Sequence, residues 1–265
     1  MLAVALTIAG SDPSGGAGIQ ADLKTFHQFG VYGEAVITLL TVQNTRSVMR
    51  IEVMDADLVR EQIDAVVSDI PPAAAKTGAL GSAAVVQTVA AWAKLRTTRL
   101  IVDPVMISKH GSALISVEAQ GVLRQELIPH AILVTPNLPE AKALTGEKDP
   151  RKAAHALLKL GCEAVLIKGG HADGEPTDLF FDQDGLMELP GRRIQTLHTH
   201  GTGCTMSAAI TALLASGIPL RQAVQGAKEF IQRAIKTAPE LGHGHGPINH
   251  FAPTATLVVD EENRH

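Results

Sequence analysis

Leu2-Ala3-Val4-Ala5-Leu6-Thr7-Ile8-Ala9 runs into Gly10-Ser11-Asp12-Pro13-Ser14-Gly15-Gly16-Ala17-Gly18, and then into a pattern with Ile19, Leu23, Phe26 and His27 on one side. An apolar run, a glycine loop and an amphipathic stretch read as strand, turn and helix. Short aliphatic runs recur at residues 35–42, 73–77, 100–103, 132–135 and 164–168, with helical patterns such as 83–95 and 117–127 between them. Continuous apolar strands separated by helices predict an α/β fold whose mostly parallel central sheet is covered on both faces. Residues 178–190 differ. Leu179-Phe180-Phe181 and Leu186-Met187-Glu188-Leu189 flank an Asp184-Gly185 turn, which predicts an antiparallel hairpin. Residues 219–238 form an amphipathic helix pattern.

The 265 residues carry a net charge of −4, with lysines and arginines dispersed. That balance disfavours nucleic acid as a partner. No apolar run has the length of a membrane span, and the chain opens without a basic leader, so a cytoplasmic protein is expected. Two cysteines, Cys162 and Cys204, give no disulfide framework and fit a reducing compartment. No linker or repeat interrupts the pattern. One domain over 1–251 is expected, followed by a tail at 252–265.

Ligands of such sheets bind beyond the carboxyl ends of the strands. Polar residues gather at six of those ends: Gly10 and Asp12, Gln43 and Asn44, Lys76-Thr77-Gly78, Asp103-Pro104, Thr135-Pro136-Asn137, and Lys168-Gly169-Gly170-His171. A second glycine loop, His200-Gly201-Thr202-Gly203-Cys204-Thr205, precedes a small-residue helix. Glycines and free helix N–H groups make an anion site there, and the helix N-terminus should favour a Cys204 thiolate. Gly16-Ala17-Gly18-Ile19-Gln20-Ala21 matches a dinucleotide fingerprint, but the expected downstream acid is missing, and no Lys-Ser or Lys-Thr of a Walker loop follows the glycines.

Asn137 and Glu140 fall on one helix face, where they read either as Mg²⁺ ligands or as a helix cap, and Asp103 could add a second oxygen. Lys168 reads either as the cation that meets a transferring phosphoryl group or as a surface lysine. Cation, metal, anion loop and positioned hydroxyl together make a phosphoryl-transfer site. The histidines His198/His200 and His243/His245/His250 suggest zinc only weakly, because glycines separate them and no cysteine pairs accompany them.

Taken as an ordered set, the segments at residues 9–24, 102–106, 135–141, 168–171 and 200–205 resemble the hydroxymethylpyrimidine (phosphomethylpyrimidine) kinases of the ribokinase-like superfamily. The resemblance runs from Leu2 to about Phe251. It implies a three-layer αβα sandwich that uses ATP and Mg²⁺ to phosphorylate 4-amino-5-hydroxymethyl-2-methylpyrimidine and then its monophosphate, in thiamine biosynthesis. It implies that Gln43 reads the aminopyrimidine edge, that Gly10, Ala17, Asp22, Ala79 and Val105 wall the ring pocket, and that Cys204 faces the hydroxymethyl group. Gly201, Thr202 and Gly203 would form the anion hole, Asn137 and Glu140 would serve Mg²⁺, and Lys168 the phosphates. Many such kinases carry Met where this chain has Ala79, which enlarges the ring pocket. Others in the superfamily carry Asp at the place of Cys204. Pyridoxal kinase is therefore the near alternative, and a non-catalytic nucleotide-binding module is the alternative of another class. A homodimer is also expected.

Overall fold

The computed structural model describes residues 2–95, 98–171 and 174–254. Most of the expected C-terminal tail lies outside them. The chain folds as β1 (Val4–Ser11), α1 (Gly18–Gln28), β2 (Tyr32–Gln43), β3 (Val48–Val53), α2 (Ala56–Asp69), β4 (Ala74–Thr77), α3 (Ala83–Lys94), β5 (Arg99–Val102), α4 (Val117–Val122), β6 (Leu133–Val134), α5 (Leu138–Thr145), α6 (Pro150–Leu158), β7 (Val165–Ile167), β8 (Asp178–Asp182), β9 (Gly185–Leu189), α7 (Thr202–Ala215) and α8 (Leu220–Lys236). A π turn, Leu123–Leu127, extends α4 over the rest of its expected length.

One nine-stranded sheet has the order β3-β2-β1-β4-β5-β6-β7-β8-β9. β2, β1, β4, β5, β6 and β7 are parallel to one another. The antiparallel pairs stand at the two edges: β3 on β2, and the expected hairpin β8–β9 on β7. Side chains alternate across the strands. Ala75, Leu100, Val102 and Val134 pack on one face with residues of α2 to α6, among them Ile63, Val89 and Leu157. Ala74, Ile101 and Leu133 pack on the other with α7 and α8, through Ile210 and Phe230. Phe26 of α1 joins that second face against Ala208 and Ala212. Three layers result, as expected.

The chain runs outward from β1 to β2 and β3, then crosses back to β4 on the other side of β1. That reversal opens a crevice at the carboxyl ends of β1 and β4.

Candidate active site

A cleft of about 940 Å³ runs along the carboxyl edge of the sheet. Gly10, Ala17, Gln43, Ala79, Val105 and Cys204 line it, as do Asp103, Asn137, Glu140 and Lys168. The strand order sorts these residues. Those following β2, β1, β4 and β5 make one end, and those following β5, β6 and β7 make the other.

At the first end, Gln43 closes β2 half-buried, and among the described residues its amide has no hydrogen-bond partner within the protein. It therefore offers a donor and an acceptor to a ligand. Ala79 is held in place by Thr38, whose Oγ1 donates to the Ala79 carbonyl at 2.6 Å. Asp22 departs from its expected place. It does not line the cleft but is wholly buried beneath it, paired with Lys76, because an ion pair satisfies its charge where a pocket wall would not.

The two glycine loops are interlocked. Gly201 adopts φ +79°, and a Cβ there would collide with the Gly16 carbonyl, so only glycine fits. Asp12 is the hub of the first loop: it accepts from the Ala17 amide at 2.9 Å, from the Ser14 amide at 2.8 Å, and pairs with His200 Nε2 at 2.8 Å. Burial opposes its ionisation, yet the bonds from His200 and Ser14 hold the Asp12 carboxyl well below the usual range. The sequence reading had both residues on the page and missed the link, since their separation of 188 positions gives no local signal.

Gly201 is the N-cap of α7, and no side chain caps the helix. The Thr202 N–H turns back to the Thr199 carbonyl at 3.4 Å, and the Gly203 and Cys204 N–H groups are left to a ligand, with the dipole behind them. Thr202 is half-buried there, its Oγ1 donating to the Thr199 carbonyl at 2.7 Å. Cys204 lies in the first turn, but the expected thiolate is corrected. Burial pushes the thiol up to about 11, with Asp22 and Asp103 adding to the rise and Lys76 opposing it. Desolvation outweighs the helix terminus, and Cys204 rests as a thiol.

At the other end, Lys168 Nζ bonds Asp103 Oδ1 at 2.8 Å and sits 3.3 Å from where a Cβ on Gly203 would stand. Burial disfavours the ammonium, but Asp103 and Glu140 hold it charged, above its ordinary value. Lys168 is thus a half-buried cation beside the anion loop, and the surface reading falls. Asp103 is nearly enclosed and also accepts from Thr135 Oγ1 and Ser207 Oγ, each at 3.2 Å.

Asn137 and Glu140 form a capping box on α5: the Glu140 amide donates to Asn137 Oδ1 at 2.9 Å, and the Asn137 amide to Glu140 Oε2 at 2.8 Å. Asn137's oxygen is committed to the helix, and Glu140 lines the cleft from the box, its carboxylate also bonded by the Met106 backbone. Burial pushes the Glu140 carboxyl up, against the pull of Lys168. The histidines take separate partners: Asp12 for His200, Thr205 for His250, the Leu197 carbonyl for His245. Among the described residues no three His, Cys, Asp or Glu side chains converge as a metal cage.

An open α/β sheet, a ring pocket and an anion loop flanked by a half-buried lysine define a small-molecule kinase of the ribokinase-like kind. The chain matches the family model for phosphomethylpyrimidine kinase over residues 12–249. It is 49% identical over 260 residues to the hydroxymethylpyrimidine/phosphomethylpyrimidine kinase of Rhizobium meliloti (strain 1021), covering 95% of this chain and 98% of that protein. Its fold is similar to the ADP complex of Bacillus subtilis pyridoxal kinase, with TM-score 0.88, 37% identity, and coverage of 95% of this chain and 98% of that one. It is also similar to the phosphomethylpyrimidine kinase of Clostridium difficile 630, with TM-score 0.78, 42% identity, and coverage of 88% and 99%. The chain belongs to the phosphomethylpyrimidine kinase family.

Proposed function

We propose that the chain transfers the γ-phosphoryl group of ATP to the hydroxymethyl oxygen of 4-amino-5-hydroxymethyl-2-methylpyrimidine, and then to the resulting monophosphate, in thiamine biosynthesis. The observation that carries this reading is one cleft holding the unpartnered Gln43 amide at one end and the uncapped α7 N-terminus beside Lys168 at the other.

Gln43 pairs with the amino group and ring nitrogen of the pyrimidine. Gly10, Ala17, Ala79 and Val105 pack against the ring, which leaves the hydroxymethyl group at Cys204. The Gly201, Thr202 and Gly203 backbone holds the γ-phosphoryl oxygens, and Lys168 neutralises charge that builds up during transfer. Because Cys204 rests as a thiol, it orients the acceptor hydroxyl, and a loose transition state needs little more from it. Thr202 and Asn137 stand along the phosphate path.

A magnesium ion fits the donor set, since Mg²⁺ takes one or two carboxylates and leaves its remaining positions to phosphates and water. Glu140 would hold it, and the ion would neutralise the phosphates. Asp103 is already bound to Lys168 and shapes that end of the site through the lysine.

Residues 1–251 act as one catalytic domain, in the cytoplasm, as a homodimer joined through the exposed ribbon of β2 and β3. The likeness to a pyridoxal kinase and the small Ala79 in the ring pocket favour a second reading, pyridoxal phosphorylation. A panel of hydroxymethylpyrimidine, its monophosphate and pyridoxal with ATP and Mg²⁺, scored by mass spectrometry, tests both. The pyrimidine and its monophosphate should gain one phosphoryl group each. Turnover of pyridoxal alone overturns the first reading, and failure of every acceptor overturns catalysis altogether.

A further inference from the structure

Beneath the floor of the cleft lies a wholly buried ion pair. Lys76 Nζ on β4 meets Asp22 Oδ2 of α1 at 2.7 Å, both side chains fully enclosed. Thr7 Oγ1 of β1 donates to the same oxygen at 2.6 Å. The other oxygen, Asp22 Oδ1, is buried without a hydrogen-bond partner. Such a pair is a poor device for stability. Desolvation offsets most of the attraction, and apolar side chains of similar volume hold a core as well.

Its position points elsewhere. Lys76 Nζ is 3.7 Å from the point a Cβ on Gly78 would occupy, and Gly78 lines the cleft next to Ala79. The ammonium thus lies close beneath the cleft floor at Gly78, beside Ala9. Charged groups face Cys204 from four sides: Lys76 on β4, Asp22 on α1, Asp103 after β5 and Lys168 after β7. Lys168 is paired with Asp103 at the phosphate end, and Lys76, paired with Asp22, is the cation whose charge opposes the rise of the Cys204 thiol. Burial disfavours its ammonium, but Asp22, Cys204 and Asp103 more than offset this, and Lys76 stays charged.

We propose that Lys76 is a positioning residue for the phosphoryl transfer: locked by Asp22 under the acceptor pocket, its fixed positive charge acts on Cys204 and through it on the hydroxyl that is phosphorylated. Asp22 keeps the ammonium charged and aimed. This role rests on the cleft being the acceptor site.

The test compares the parent with Lys76→Met and with the double variant Asp22→Asn/Lys76→Met. The double variant removes both charges together, so it folds where the single one leaves Asp22 unpaired. The first readout needs no substrate: iodoacetamide alkylation of Cys204 at fixed mildly alkaline pH, with peptide mass spectrometry separating it from buried Cys162. Alkylation should slow by about tenfold in Lys76→Met, the equivalent of one pH unit in the thiol, and by less in the double variant, which also loses the opposing charge of Asp22. The second readout is steady-state turnover of the pyrimidine with ATP. kcat should fall by about tenfold with KM for the pyrimidine nearly unchanged, because Lys76 touches no substrate. A folded double variant with parental alkylation and parental kcat overturns the proposal and leaves the pair a structural one. So does a raised KM with unaltered alkylation. If the parent phosphorylates no pyrimidine, the functional reading fails instead, and alkylation still decides whether Lys76 tunes Cys204.

Discussion

Cys204 is where two local effects compete and burial wins. Its place at a helix start was legible in the sequence, and that place alone argues for a thiolate. Its proton state was not legible, because it depends on how deeply α7 sits against Lys76, Asp22 and Asp103, residues remote in the chain. With the thiol pushed up to about 11, a general-base role loses its footing and orientation remains. Cys204→Ser should therefore keep turnover within about tenfold of the parent, since a hydroxyl can orient an acceptor too; general acid–base work is worth about 10²–10⁴-fold, so a loss of that size in kcat restores the base. Gln43 was fully legible: a strand-end amide on a polar rim, which the structure leaves unpaired at the ring end of the cleft. Gln43→Ala should weaken pyrimidine binding by about 1–3 kcal/mol, since ligand atoms lose their partners inside the pocket. Calorimetry that finds parental affinity removes Gln43 from the site. Asp22 was the misreading at this scale. The resemblance implied a place in the pocket wall, and its pairing with Lys76, 54 positions away, is invisible to any local pattern.

Among the elements, the apolar strands were readable even when short, as β4 to β7 were, and the polar ones were not. β3 is exposed or half-buried throughout and carries Arg50 and Glu52 as a surface pair, so its strand character is diluted by charge. α2 hides behind an even mix of polar and apolar residues, although Asp55 caps it through the Asp57 and Leu58 amides. α5 and α6 are only 8 and 9 residues long, too short for periodicity to declare them, and their caps Asn137 and Asp149 were the available signal. The connection after α8 has a consequence for stability. It brings His250 under α7, where Nε2 lies 3.1 Å from Thr205 Oγ1. Burial, with Lys24 and His200 nearby, lowers this imidazole from 6.5 to about 4. Between those values the unfolded chain holds a proton there that the folded chain does not. Stability therefore rises with pH across that window and is lost on acidification through it, by roughly 3 kcal/mol at most. Urea midpoints should fall from pH 7 to pH 5 more steeply in the parent than in His250→Gln. Equal falls in the two proteins would assign the acid sensitivity to other groups.

At the scale of the whole molecule, the reversal of the chain at β1 places the cleft, and the same reversal creates a sheet edge beside it. Among the described residues β3 pairs with β2 alone and leaves its outer edge open. An open edge invites another strand unless charge or cover blunts it. Leu40, Val42 and Met49 are 44%, 51% and 60% exposed on this ribbon, with Glu52 opposite Leu40, Arg50 opposite Val42 and Met49 at the register shift, so apolar and charged groups interleave there. β2 alternates, so Leu40 and Val42 face outward while Thr41 and Gln43 line the cleft. A second copy seated on the ribbon would therefore brace the strand that carries Gln43, the amide proposed to read the pyrimidine, and so tie assembly to acceptor binding. Val42→Lys combined with Met49→Lys should convert a dimer to a monomer in sedimentation velocity, because two desolvated ammonium groups cost more than the apolar contact returns. The freed monomer should retain kcat and show a raised KM for the pyrimidine, since Gln43 loses its support while Lys168 and the anion loop, on the far side of β1, keep theirs. A parent that sediments as a monomer at every concentration tested, or a double variant that stays dimeric, would place the ribbon outside any interface.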